Sequence, residues 1–125
     1  MERLFVIGVA GAFGAVARYG AQVLMNEVTG RPSVTGTLLV NLAGSFMLGI
    51  LLGFALERAE LPAFWRYAGA TGFLGAFTTF STLMFESVDR LENGEIAFVF
   101  GYLAVSIVAG LALAYGGLVA GRALA

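Results

Sequence analysis

The sequence predicts an all-α membrane protein: four transmembrane helices, the third broken near the midplane, paired as an antiparallel dual-topology dimer. Three observations carry that expectation. Of 125 residues, 59% are apolar and 12% charged, with mean hydropathy +0.90. Soluble domains carry roughly 25% charged residues, so lipid is the expected solvent. Apolar stretches recur at the length of about 20 residues that crosses a core of about 30 Å. Within the third stretch, glycines give way to a run of hydroxyls, the pattern of one helix stopping and another starting.

Helices are expected at about 4–25, 33–56, 66–91 and 96–122, with the break near 75–79, in a single domain spanning 1–125. The first runs from Leu4 to Met25, interrupted only by Arg18. With no small-residue cleavage site, it reads as a retained helix and not a signal peptide. The second, Ser33 to Leu56, carries no charge, and its Gly49 and Gly53 form a G-x-x-x-G pair suited to close helix contact. Pro32 and Pro62 act as breakers, Asn93-Gly94 as a turn, and Trp65, Tyr67 and Tyr115 as interface anchors.

The third segment holds GATGFLGAFTTFSTLMFE, residues 69–86. Gly69, Gly72 and Gly75 each cost a helix interior roughly 1 kcal/mol relative to alanine. Thr78, Thr79, Ser81 and Thr82 then favour an N-cap. The first half-helix is expected to end at Gly72 and Gly75. Such breaks survive in lipid only where protein or a wet cavity satisfies the freed backbone groups. They are also where membrane proteins bind ions, with N–H groups facing anions and carbonyls facing cations.

With four spans, Arg3, Arg58, Arg66 and Arg122 fall on one side, Arg31 and Arg90 on the other, and the chain has no lysine. So feeble a positive-inside bias permits insertion both ways, hence antiparallel pairing. The chain has no cysteine and no histidine, which removes thiolate chemistry and the usual general base, so no enzyme is expected. A net charge of −1 with scattered signs offers nucleic acid no patch.

Polar residues recur at i, i+4, i+8: Thr37, Asn41 and Ser45; Thr78, Thr82 and Glu86; Tyr102, Ser106 and Gly110. Taken singly, the hydroxyls read as helix glue, Asn41 as path or packing, Glu86 as a solvated helix end, and Phe80 as packing. Arg18 inside a span costs at least ~2.5 kcal/mol at the centre and reads as functional or snorkelling. Together, the rows and the break read as the wall of a polar path for an anion. Asn41 brings N–H donors, and Ser81, Thr82 and Tyr102 bring hydroxyls. No carboxylate is expected at the midplane to couple proton movement.

GAFGAVARY at 11–19, GTLLVNLAGSF at 36–46 and GFLGAFTTFST at 72–82, followed by Glu86, resemble the small dual-topology fluoride channels, the Fluc family. The resemblance implies an antiparallel homodimer in the cell membrane, multi-pass, with two fluoride pores. It also implies a central structural sodium ion held by backbone carbonyls of Gly75 and Thr78. Asn41, Arg18, Phe80, Ser81, Thr82 and Glu86 fall on family pathway positions. Thr37, Tyr102 and Ser106 join them through the polar rows. Leu83 departs from the family, standing where a second phenylalanine is expected. Two alternatives follow: a small multidrug-type exporter, and a non-conducting partner subunit of a heterodimeric fluoride channel.

Overall fold

The computed structural model describes residues 1–30, 33–58 and 62–125. Helix α1 spans Glu2–Thr29 and α2 spans Thr35–Glu57. Helix α3 covers 63–77, α4 is Phe80–Glu92 and α5 is Ile96–Leu124. No strand occurs among the described residues. By length and composition, α1, α2 and α5 can each cross a membrane. The first helix runs past residue 25 to Thr29 and stops where Gly30 turns left-handed at φ 70°. Arg31 and Pro32, expected to mark this loop, lie outside the described residues.

The bundle is built from two helix pairs, α1 with α3 and α2 with α5, with α4 bridging to α5 and α2. Small residues set both spacings. A Cβ on Gly49 or Gly53 would strike the backbone oxygens of Ala114 and Leu118. One on Gly117 or Gly121 would strike those of Phe46 and Ile50. The G-x-x-x-G contact is therefore reciprocal and lies within one chain.

Helix α3 corrects the expectation for its glycines. Gly75 is helical at φ −62°, ψ −34°, so the first half-helix does not stop there. Residues Arg66–Leu74 instead form widened π-type turns, pressed against α1. A Cβ on Gly72 would lie 2.8 Å from the Ala10 methyl and 3.0 Å from the Ile7 carbonyl oxygen. One on Gly14 would meet the Phe73 carbonyl. Gly72 and Gly14 serve close approach between helices, and the hydroxyl run makes the break.

That break is two residues long. Thr78 is extended at φ −84°, ψ 156°, and Thr79 at φ −150°, ψ 114°. Thr79 caps α4, its Oγ1 accepting from Thr82 N–H at 3.2 Å. At the far end of α4, Gly94 takes φ 78°, so its N–H reaches the Leu91 carbonyl and that of Glu95 the Arg90 carbonyl. This is a Schellman stop, fastened by the Arg90–Glu95 ion pair at 2.9 Å.

Candidate functional site

The site lies along the α2 face that carries Thr37, Asn41 and Ser45, where the start and the middle of α4 dock. Near the start of α2, Thr37 Oγ1 donates to Glu86 Oε1 at 2.7 Å, and the Tyr102 hydroxyl donates to Glu86 Oε2 at 2.7 Å. Gln22 Nε2 on α1 donates to Thr37 Oγ1 at 3.3 Å. Thr37 and Tyr102 are buried, so three helices meet on one carboxyl group and α1 reaches it through Thr37. Glu86 is thus no solvated helix end. It lies level with the first two turns of α2 and α5, shallow of the centre. It borders a cavity of about 330 Å³ that Gln22, Asn26, Asp89 and Arg90 also line.

One turn deeper on α2, about 6 Å along the axis, stands Asn41. Its Oδ1 accepts from Thr79 N–H at 2.7 Å and its Nδ2 donates to the Thr79 carbonyl at 2.9 Å. Its own carbonyl accepts from Ser45 Oγ at 2.7 Å. Gly44 follows, so close to the Thr78 methyl that a Cβ would collide with it. A second cavity, about 260 Å³, opens here, lined by Asn41, Ser45, Gly75, Thr78, Thr79, Phe80 and Leu83.

The expected rows survive in part. Thr37, Asn41 and Ser45 share the α2 face and all engage. The row Thr78, Thr82, Glu86 is corrected: Thr78 sits in extended backbone, off the α4 register, and its hydroxyl donates to the Leu74 carbonyl at 3.1 Å. Thr79 takes its place, donating through Oγ1 to Thr82 Oγ1 at 3.0 Å and lying 3.3 Å from Ser81 Oγ. On α5, Tyr102 engages, while the buried Ser106 Oγ has no hydrogen-bond partner among the described residues.

Phe80, 73% exposed, lines the second cavity, and Ser81 beside it in sequence is exposed. Leu83, in the place of a second phenylalanine, is buried behind it. Phe77 stacks on Phe73 with ring centres 5.7 Å apart, and Phe85 is exposed. Arg18 is half-buried and makes no hydrogen bond or ion pair with the described residues. Gln22, and Thr79 as part of the path, are not legible in the sequence. Gln22 lies four residues beyond Arg18 on the same helix face. A threonine three residues before a second one marks Thr79 as a cap.

A family model described as CrcB-like protein, Camphor Resistance (CrcB), matches residues 5–118. The chain belongs to this family. Among its relatives, a fluoride-specific ion channel FluC of Geobacter sp. (strain M21) is 40% identical over 124 residues, 99% of this chain and 100% of the relative. A protein of the same name from Bordetella petrii is 44% identical over 118 residues, 94% of this chain and 90% of the relative. One from Gloeobacter violaceus is 42% identical over 120 residues, 95% of each. As a CrcB-like protein, the chain is a multi-pass membrane protein with a helical, donor-lined interior.

Proposed function

We propose that this CrcB-like protein is a passive fluoride-selective channel of the cell membrane, no enzyme, which lets fluoride leave the cell and so relieves its toxicity. The full-length likeness to proteins named fluoride-specific ion channels carries this reading. The chemistry of the α2 face supports it. Two hydroxyls from different helices converge on one pair of anionic oxygens, the donor geometry that a small hard anion needs in place of water. Fluoride would pass between that end and the deeper cavity by way of Asn41, Ser81, Thr82 and the Phe80 edge, with Ser106 as a further donor and Arg18 drawing anions in.

In the membrane, residues 63–92 make the remaining crossing through their two half-helices, giving four spans, and two copies pair antiparallel. The break fits a sodium ion at the dimer centre. In an unbroken helix, the Gly75 and Thr78 carbonyls would accept from the N–H groups of Thr79 and Thr82. Those groups turn instead to Asn41 Oδ1 and Thr79 Oγ1. Two hard oxygen ligands are left beside the second cavity, and no cluster of carboxylates or imidazoles competes for a cation among the described residues. Sodium there would neutralise converging carbonyls from the two copies.

A multidrug-type exporter is disfavoured, since between Glu2 and Glu27 helix α1 carries Arg18 and no carboxylate. Purified protein in liposomes tests the proposal: fluoride should leave down its gradient and chloride should not. Equal chloride flux would sink it. Silence of this chain alone would favour the partner-subunit reading that Leu83 raises.

A further inference from the structure

Asn41 spends its carbonyl oxygen and one of its two amide hydrogens on a single residue, Thr79. A side-chain amide has the same donor and acceptor pair as a peptide group. The bond from Thr79 N–H therefore stands in for the helical acceptor that Thr79 loses at the break, and the second bond ties its carbonyl, which opens α4, to α2. One N–H of Asn41 remains for an anion. The brace continues outward, because Thr79 Oγ1 in turn holds Thr82 N–H and the hydroxyls of Ser81 and Thr82. Gly44, three residues along the same helix, lets Thr78 seat against α2 beside it.

The diverted Thr79 N–H matters most. It is the donor that an unbroken helix would return to the Gly75 carbonyl. We propose that Asn41 is the positioning residue of the break: by taking both backbone groups of Thr79, it keeps that N–H off the Gly75 carbonyl and so holds the carbonyl open for a cation. This rests on the sodium reading above and adds to it a link between the anion wall and the cation site. The same side chain would then serve both, one N–H toward fluoride and the rest toward the break.

Solid-state NMR of labelled protein in lipid bilayers tests the link through two signals, the Thr79 amide proton and the Gly75 carbonyl carbon titrated with sodium. In the parent, the Thr79 proton should lie downfield, as its 2.7 Å bond requires. In Asn41→Ala it should move upfield, and Gly75 should need about tenfold more sodium, as the loss of one or two hydrogen bonds implies. Asn41→Asp keeps an acceptor for Thr79 N–H, so its proton should stay downfield even though fluoride flux is lost. This second variant decides the matter if Asn41→Ala does not fold: an upfield Thr79 proton there overturns the proposal. So does a Thr79 proton unmoved in Asn41→Ala, or an unchanged sodium titration. A parent Gly75 signal indifferent to sodium would remove the cation reading itself, and with it the link, while the Thr79 proton still reports on the brace.

Discussion

Tyr102 has its ring buried and its hydroxyl on Glu86 Oε2, so the bond can be removed without opening a hole. Tyr102→Phe should leave a folded protein and slow fluoride efflux from liposomes about tenfold or more, since a hydrogen bond to a charged group contributes roughly 1.5–3 kcal/mol. Efflux at the parent's rate would mean that this hydroxyl is no part of the path. Thr37→Val should act in the same direction through Oε1. The sequence disclosed Thr37 and Tyr102 by their spacing but not their common target. Helical period shows which residues share a face, and it is silent on which faces meet. Glu86 therefore read as a helix end when judged alone, and Gln22 went unnoticed because nothing in α1 announces a partner on α2. Asn41 is the instructive case. Its reading stands open between path and packing, and its two bonds to Thr79 show the packing contact while leaving one N–H over.

Among the elements, the break was legible and its cause was misread. Both glycine and threonine weaken a helix, and their order suggested a glycine stop before a hydroxyl start. In the structure the glycines of α3 lie in helix, Gly72 against α1 and Gly69 against Leu51 of α2, where close neighbours outweigh their intrinsic cost, while Gly75 is helical without such a neighbour. The widened turns of 66–74 have no signature in composition or period. The α2–α5 pair shows the same use of small residues, half of it legible: Gly49 and Gly53 stood out, Gly117 and Gly121 did not. Gly117→Val should separate the two helices, since its new atoms face the Phe46 and Ile50 backbone, which cannot swing aside as a side chain can. A destabilisation of about 1–3 kcal/mol or more is expected, as for overpacked cores. Gly116→Ala is the control: nothing lies within 4 Å of its Cβ, and it should be neutral or slightly stabilising. Thermal unfolding in detergent measures both, and equal midpoints for the two variants would contradict the packing described.

At the scale of the molecule, one chain leaves much surface to cover. Its accessible area is 7901 Å², against ~6300 Å² for a compact monomer of 13.0 kDa. Lipid can cover most of it, but not the polar break and the cavity beside it, where unpaired carbonyls would face hydrocarbon at several kcal/mol each. A second copy is the economical cover. Charge permits it to be inverted. Arg122 lies 3.7 Å from Glu57 and Arg90 is paired with Glu95, which blunts the difference between the two ends of the bundle. Gly75 tests the pairing directly. It is exposed, helical and roomy within its own chain, since a Cβ there would find only the Ala70 oxygen at 3.5 Å, an ordinary contact. Gly75→Val should therefore leave the protomer folded, and any harm must come from what lies across the break. The expected outcome is a helical protein that elutes as a monomer, carries no fluoride, and no longer responds to sodium, with tags on both termini of the parent labelled from either side of the membrane. A Gly75→Val protein that remains dimeric and conducts as the parent does would show that the break does not face a second copy.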